Sequence, residues 1–334
     1  MLRWALWLPL KLLRYWLTSV GLISLVLAFM IATPLKRPPE LTQMMTDARK
    51  GIDLSTLPPL ERFQARDGTS LGYRHYVSAG TPAGRGAVVV HGSSAHSATS
   101  IHMLNRELAG HGVETWSIDI RGHGASGTHG DIAYVGQLED DLADFVAAVR
   151  QTAPSLPLTL IGHSSGGGFA LRVASSPIRV LFARTVLLAP YLGYDAPSSR
   201  VDAGGWASPD IPRIVGLQIL RRFGIDCCAS LPTVAFAVPP HYEKILTGTY
   251  SDRLMRNFAT RSYKEDFAAV TGPMTIIAGA DDELMIADKY AEIARALAPS
   301  VDVKLIEGIN HMALVAAPAA VSFIANEVVS HQGS

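Results

Sequence analysis

The sequence has 334 residues, of which 48% are apolar, and 29 basic side chains balance 29 acidic ones. A chain of this length fits one large domain or two modest ones and can bury a core without disulfides. Its two cysteines, Cys227 and Cys228, are adjacent, which excludes a disulfide framework and a zinc ribbon. Residues 1–37 carry five basic and no acidic side chains, which leaves a formal charge of −5 on the remainder. That acidic body argues against nucleic acid as the main partner.

The first break in composition is at the amino terminus, where Tyr15 to Leu35 form 21 residues without a charge. A helix of this length can cross the roughly 30 Å hydrocarbon core of a bilayer. A cleaved secretory signal or a buried helix are the alternatives, but a signal has an apolar region of about 7–15 residues and a small-x-small cleavage site, which is missing here. We predict a single-pass membrane anchor at 1–36 and a proline-interrupted linker at 37–60. Basic residues on both flanks leave the side of the membrane open.

Beyond the linker, apolar runs alternate with helical patterns. The Asp67-Gly68-Thr69 turn predicts a hairpin of Glu61–Arg66 with Ser70–Ser78. Continuous apolar runs predict buried strands at Ala87–Val90, Glu114–Ile120, Leu156–Ile161, Thr185–Leu188, Met274–Ala278 and Val301–Ile306. Helical periodicity predicts helices near 99–110, 137–152, 165–175, 287–298 and 316–330. Such alternation is typical of an α/β fold, with a parallel sheet and helices on both faces.

The alternation stops between Leu192 and Gly272, in a segment rich in proline, glycine and aromatic residues. We interpret 193–271 as a cap inserted into a core formed by 61–192 and 272–334. Its apolar residues could line a pocket or pack the cap itself. Within it we predict that Cys227 and Cys228 are reduced thiols, because neighbouring Cα atoms at about 3.8 Å lie closer than disulfide geometry prefers.

A candidate nucleophile lies at Gly162-His163-Ser164-Ser165-Gly166, directly after an apolar strand and before a helix. This is the context of a G-x-S-x-G nucleophile elbow, in which glycines permit the sharp turn that presents the serine hydroxyl. A tight structural connection is the alternative reading. A serine hydroxyl needs a base, and the base needs a carboxylate that fixes its tautomer.

The partners of such a serine follow it along the chain in the order acid, then histidine, at the carboxyl ends of strands. The strand at 274–278 leads to Asp281 and Asp282, and the strand at 303–306 leads to His311. His311 is therefore the expected base, and either aspartate could be the acid. The oxyanion of an acyl-transfer intermediate needs backbone donors, for which we predict the N–H groups of Ser165 and Ser93.

Five ordered segments resemble the α/β-hydrolase superfamily, and specifically its lysophospholipase, monoacylglycerol lipase and serine aminopeptidase-like branch. They are His91-Gly92-Ser93-Ser94-Ala95-His96-Ser97, Asp119-Ile120-Arg121-Gly122-His123-Gly124-Ala125-Ser126, Gly162-His163-Ser164-Ser165-Gly166, Gly279-Ala280-Asp281-Asp282 and Gly308-Ile309-Asn310-His311. The resemblance covers about residues 60–330 and implies an eight-stranded sheet, a cap and the triad Ser164, Asp282 and His311. Asp282 is preferred over Asp281 because the acid of that family usually stands three residues after the glycine. The amino-terminal anchor and the cap sequence depart from the family pattern.

We therefore expect a membrane-tethered serine hydrolase that cleaves a lipid-like or small carboxylic ester through a covalent acyl-enzyme. No cofactor or metal is expected, since no carboxylate or cysteine completes a cluster with His91, His96 and His102. A serine aminopeptidase, an acyltransferase and a cofactor-free haloperoxidase could use the same triad. A catalytically silent ligand-binding or scaffold protein is the alternative of another class. The expected partners are an ester substrate and the membrane, and the oligomeric state is left open.

Overall fold

The computed structural model describes residues 2–39, 41, 52–201, 203–239, 242 and 245–330. The strands are β1 (Glu61–Gln64), β2 (Ser70–Tyr76), β3 (Gly86–Val90), β4 (Glu114–Ile118), β5 (Leu158–His163), β6 (Arg184–Leu188), β7 (Ala207–Pro209), β8 (Pro232–Phe236), β9 (Thr249–Ser251), β10 (Met274–Gly279) and β11 (Asp302–Ile306). The α-helices are α1 (Leu2–Ala32), α2 (Ile101–Gly110), α3 (Gln137–Thr152), α4 (Ser165–Ala174), α5 (Ile211–Arg222), α6 (Asp252–Asn257), α7 (Tyr263–Ala269), α8 (Lys289–Leu297) and α9 (Pro318–Ser330).

The main sheet has eight strands in the order β1-β2-β4-β3-β5-β6-β10-β11. Strand β2 is antiparallel to β1 and β4, and the other neighbouring strands are parallel. Every residue of β3, β5, β6 and β10 is buried, because helices cover both faces of the sheet. The predicted α/β-hydrolase fold is confirmed.

Most predicted elements form within two residues of their predicted ends. Helix α3 has the predicted bounds, and its apolar stripe faces the core, with Leu138, Leu142, Phe145, Val146 and Val149 all buried. Strand β4 ends at Ile118 rather than at Ile120, and β5 begins at Leu158 and continues to His163. Strand β5 therefore delivers the chain directly to Ser164.

The segment between β6 and β10 builds a second, smaller sheet from β7, β8 and β9, which are antiparallel neighbours. Helix α5 connects β7 to β8. The limits of this cap segment at residues 193 and 271 remain a prediction. In it the sulphur atoms of Cys227 and Cys228 are 2.8 Å apart, well beyond the 2.05 Å of a disulfide bond.

Helix α1 ends at Ala32, before Pro34, which cannot donate a backbone hydrogen bond to a continuing helix. Its part from Lys11 to Ala32 has 22 residues and a mean hydropathy of 2.0, and none of its most apolar window is buried. The helix is long and apolar enough to cross a membrane. Of the predicted linker at 37–60, residue 40 and residues 42–51 lie outside the described residues, as do residues 331–334 at the end of the predicted core.

Candidate active site

Ser164 lies in the sharp turn between β5 and α4. Its φ is +56° and its ψ is −119°, a conformation that residues other than glycine rarely adopt. The Ser164 N–H donates to the Leu188 carbonyl at 2.9 Å, which ties the turn to β6. A side chain on Gly162 would clash with the Gly166 carbonyl, and one on Gly166 would clash with that of His91. Both glycines of the predicted elbow are therefore required by close backbone contacts.

His311 and Asp282 form a buried hydrogen-bonded pair. His311 Nδ1 is 2.8 Å from Asp282 Oδ2, and both residues are at most 3% exposed. The other carboxylate oxygen, Oδ1, accepts hydrogen bonds from the N–H groups of Leu284 at 2.9 Å and Met285 at 2.7 Å. Burial opposes ionisation of this carboxyl, but the hydrogen bond and charge of His311 and the two backbone donors outweigh it and hold the pKa of Asp282 below its usual value. The carboxylate can thus fix the orientation and tautomer of the imidazole.

The neighbouring Asp281 is exposed and its backbone N–H donates to the Ile309 carbonyl at 3.1 Å, so only Asp282 of the two aspartates meets His311. The next residue, Glu283, was not anticipated from the sequence. Its Oε2 accepts a hydrogen bond from the His311 backbone N–H at 2.8 Å. Consecutive acidic residues thus hold His311 at its ring and at its backbone.

Ser164 and His311 line one cavity of about 370 Å³. Much of its wall is apolar, and these residues come from the linker, the core and the cap segment: Ile52, Leu54, Ile101, Trp206, Ile245, Leu246, Leu284, Met312 and Val315. Of the described residues that line it, none is an aspartate or a glutamate. The contribution of Ile52 and Leu54 was not anticipated, since nothing in a proline-interrupted linker indicates that it folds back onto the core.

The predicted oxyanion donors lie beside Ser164. The loop after β3 comes so close that a side chain on Gly92 would be 3.2 Å from Ser164 Cβ. Ser165 begins α4, whose first N–H groups have no partner within the helix. Neither the Ser93 nor the Ser165 N–H has a hydrogen-bond acceptor in the part of the chain that the structure describes. Both groups can therefore receive an external oxygen atom.

The cap segment holds the loop that carries Ser93. Trp206 Nε1 donates to Ser93 Oγ at 2.8 Å, and Thr247 N donates to the Ser94 carbonyl at 3.0 Å. The Tyr250 hydroxyl accepts a hydrogen bond from the Ser94 N–H at 2.9 Å. Ser94 has a φ of +64°, so these contacts stabilise a strained backbone.

Buried neutral histidines surround the site. The ring of His163 packs against that of His311 with centroids 4.8 Å apart, and its Nε2 lies 3.2 Å from the His311 carbonyl. Burial, followed by the charge of His311, lowers the pKa of His163 to about 3, and burial lowers that of His91 to about 4. At neutral pH neither ring adds a positive charge beside His311. His102, which we considered as a metal ligand, instead lies with its Nδ1 2.9 Å from the Tyr76 hydroxyl.

Comparisons with known proteins agree with this architecture. A model of the family described as serine aminopeptidase, S33, matches residues 84–316. The chain is 28% identical over 242 residues to a monoacylglycerol lipase of Mycolicibacterium smegmatis, which covers 68% of this chain and 81% of that protein. It is 26% identical over 256 residues to the monoglyceride lipase of Saccharomyces cerevisiae, covering 69% of this chain and 78% of the relative.

The fold is also found among solved structures. A soluble variant of the Saccharomyces cerevisiae monoglyceride lipase, in complex with a substrate analogue, matches with a TM-score of 0.62 at 18% identity, covering 84% of this chain and 96% of that one. The expected resemblance is confirmed: the chain belongs to the family described as serine aminopeptidase, S33, has the α/β-hydrolase fold and is a hydrolase similar to monoacylglycerol lipases.

Proposed function

We propose that this protein is a membrane-anchored serine hydrolase that cleaves the ester bond of a lipid with a single fatty acyl chain, of the monoacylglycerol class. Ser164 is the nucleophile, His311 the base and Asp282 the acid. The observation that carries the proposal is the buried 2.8 Å hydrogen bond between His311 and Asp282 at a cavity that Ser164 also lines. Acyl transfer requires a serine and a histidine that a carboxylate orients, and the strained Ser164 and the His311–Asp282 pair meet this requirement at one cavity.

The mechanism follows from these roles. Ser164 Oγ attacks the ester carbonyl carbon while His311 Nε2 takes the hydroxyl proton, and the N–H groups of Ser93 and Ser165 stabilise the negative carbonyl oxygen. The bond to the alcohol then breaks, and His311 gives its proton to the leaving oxygen. An ester of Ser164 with the acyl group remains. Water, deprotonated by His311, attacks that ester, and the departing Ser164 recovers the proton, which releases the fatty acid.

The lining of the cavity is suited to an uncharged fatty acyl chain. Nine large apolar residues line it, and a fatty acyl chain gains about 0.8 kcal/mol for each CH₂ group that it buries there. The curated relatives are named monoacylglycerol lipase and monoglyceride lipase, which agrees with this chemistry.

An aminopeptidase is the second candidate, because the matching family model carries that description. An aminopeptidase has to bind the substrate's α-ammonium group, for which a carboxylate is the usual partner. The described residues of the cavity wall include no carboxylate, which favours the ester. An acyltransferase would use the same acyl-enzyme and differ only in the acceptor, so a product assay separates it from a hydrolase.

The anchor is part of the proposal. We infer that Lys11–Ala32 spans the bilayer once and is retained, because this stretch of 22 residues has a mean hydropathy of 2.0 and its residues 11–26 are all exposed. A helix of this length measures about 33 Å, close to the hydrocarbon thickness of about 30 Å.

The test is hydrolysis of a long-chain monoacylglycerol by the full-length protein in vesicles, measured as released fatty acid, beside an aminoacyl-4-nitroanilide. The proposal predicts release of fatty acid and no cleavage of the anilide. Ser164→Ala should abolish the release. Ser165→Ala is the matched control, because it keeps the backbone N–H and should retain most of the activity. Cleavage of the anilide alone, or an unaffected Ser164→Ala enzyme, would overturn the proposal.

A further inference from the structure

The end of α1 packs directly on helix α5 of the cap segment. The contact is close at Gly216, where a Cβ atom would lie 3.1 Å from Ile31 Cγ1 and 3.4 Å from Met30 Cβ. Because Gly216 has no side chain, Ile31 and Met30 pack against the backbone of α5. The anchor and the cap therefore form one packed unit.

Hydrogen bonds between buried polar groups also connect the end of α1 to α5. The Thr33 hydroxyl lies 3.0 Å from both carboxylate oxygens of Asp210, the residue that caps the amino end of α5. Arg213 donates to the Ile31 carbonyl at 2.9 Å and to the carbonyl oxygens of Thr33 and Pro232. Asp210 and Arg213 are each only 8% exposed.

The position of Arg213 has a physical reason. The last carbonyl groups of a helix lack intrahelical donors and carry the negative end of the helix dipole, so a guanidinium is favourable there. Arg213 occupies this position at the end of α1 and is itself paired with Asp210 at 3.6 Å. The junction thus satisfies donors and acceptors from both helices, and it fixes where the cap lies relative to the anchor.

The rest of α1 projects away from the body, since residues 11–26 are all exposed. If these residues span a bilayer, the docked end at residues 30–33 lies at one boundary of the hydrocarbon core. Helix α5 begins at that docked end, so its first turns lie at the membrane surface.

The surface of this region is unusually apolar. Ile211 and Val215 are one helical turn apart on α5 and are 56% and 38% exposed, and the loop that follows exposes Phe223 and Ile225 by 77% and 47%. We call these four residues the cap face. Single exposed apolar residues are ordinary, but four of them within 15 residues, on the helix that is joined to the anchor, are not explained by packing in the chain.

We propose that the cap face lies in the interfacial region of the bilayer that α1 spans, with a phospholipid surface as its partner. This inference rests on the anchoring in the proposed function. Exposed basic residues, Arg222 at the end of α5 and Lys36 and Arg37 after α1, favour a leaflet with anionic lipids. Trp206, which lines the cavity, stands five residues before Ile211. The cap face therefore holds one wall of the active-site cavity beside the membrane, where an acyl lipid resides.

The first experiment measures depth in the membrane. The full-length protein carries Cys227→Ser and Cys228→Ser, and a polarity-sensitive fluorophore is attached to a single cysteine introduced elsewhere. The labelled protein is reconstituted in vesicles that contain phosphatidylglycerol and a spin-labelled quenching lipid. Val215→Cys and Ile211→Cys should be quenched at least twofold. Leu22→Cys within α1 should be quenched as the positive control, and Val180→Cys should not be.

Val180 is a suitable control because it is 77% exposed and precedes β6, so it lies at the amino ends of the strands, away from the active site. Quenching at Leu22 without quenching at Ile211 and Val215 would overturn the inference and leave the anchor intact. Hydrolysis of p-nitrophenyl butyrate by the same samples reports on the hydrolase separately, so failure of the proposed function is recognised by its loss.

The second experiment measures the consequence for catalysis. The double change Ile211→Asp and Val215→Asp should lower the hydrolysis of monoacylglycerol in anionic vesicles about tenfold, and should leave the hydrolysis of p-nitrophenyl butyrate within twofold. Val180→Asp is the matched control and should change neither rate. Unchanged hydrolysis in vesicles by the double variant would contradict the inference.

Discussion

The Tyr250 hydroxyl accepts a hydrogen bond from the Ser94 N–H at 2.9 Å, and so joins β9 of the cap segment to the loop that carries a proposed oxyanion donor. The same oxygen lies 2.5 Å from His123 Nε2, and Tyr250 is only 3% exposed. With its N–H engaged, Ser94 cannot bind the oxyanion, whereas the Ser93 N–H has no acceptor among the described residues. The cap thus engages the Ser94 N–H and leaves the Ser93 N–H open toward the cavity.

The change Tyr250→Phe should lower kcat for p-nitrophenyl butyrate about tenfold and leave KM within twofold. It leaves the Ser94 N–H buried without an acceptor, so the loop that carries Ser93 shifts to find one. A loss of about 1.4 kcal/mol in stabilisation of the transition state by the displaced Ser93 N–H is tenfold in rate. Tyr73→Phe is the control, because it removes a hydroxyl that donates to Glu61 at 2.7 Å on the edge of the sheet. Equal effects of the two variants on kcat would contradict a positioning role for Tyr250.

Two adjacent aspartates give a sharp test of the acid. Asp282→Asn should lower kcat by about 10⁴, because the amide no longer fixes the His311 tautomer or stabilises its charged form. Asp281→Asn should retain activity, because the Asp281 side chain is exposed and only its backbone N–H is bonded near the site. Steady-state kinetics of both variants at pH 8 decide between the two aspartates. A decrease of kcat in Asp281→Asn alone would assign the acid to Asp281.

Buried neutral histidines predict how stability depends on pH. The pKa values of His163 and His91 are lowered to about 3 and about 4, whereas an unfolded histidine titrates near 6.5. Between these values the unfolded chain binds protons that the folded chain does not. The free energy of unfolding is therefore at its full value above pH 6.5 and decreases as the pH falls toward 4, by at most about 1.4 kcal/mol per pH unit for each histidine.

The measurement is the urea midpoint of the full-length protein in mild detergent at pH 7.5, 6.5 and 5.5. It should decrease over this range, and His163→Gln should make the decrease smaller. His129→Gln, at an exposed histidine, is the control for the substitution itself. A steeper decrease in the His163 variant would contradict the account.

The junction of anchor and cap predicts an effect on stability at a distance from the active site. Thr33→Val removes the hydroxyl that lies 3.0 Å from both Asp210 oxygens and 2.8 Å from the Met30 carbonyl, with little change of shape. It should lower the free energy of unfolding by about 1–3 kcal/mol, because the Asp210 carboxyl group is buried and loses this partner. Thr18→Val is the control in the same helix, since the Thr18 hydroxyl bonds only to carbonyls of its own turn. Thermal unfolding in nanodiscs gives the midpoint of each variant. Equal midpoints for Thr33→Val and Thr18→Val would contradict a stabilising contact between the anchor and the cap.

The sequence predicts well what is local. The elbow at Ser164, the strand ends before Asp282 and His311 and the stripe of α3 all depend on neighbouring residues, and the structure brings Asp282 and His311 together. Glu283 and Tyr250 were missed because each accepts a hydrogen bond from a backbone N–H of another loop, which no sequence motif marks, and Tyr250 also stands in a segment without periodicity. The docking of Thr33 on Asp210 joins residues 177 apart, so no local pattern could indicate it.

The most direct test of the central claim locates the covalent adduct. Full-length protein is treated with a fluorophosphonate, digested with trypsin and sequenced by mass spectrometry, which isolates residues 151–172 with both Ser164 and Ser165 in one peptide. We expect one adduct on Ser164, no adduct in Ser164→Ala and slower labelling in His311→Ala. An adduct on Ser165 or outside this peptide, or full labelling of Ser164→Ala, would contradict that claim.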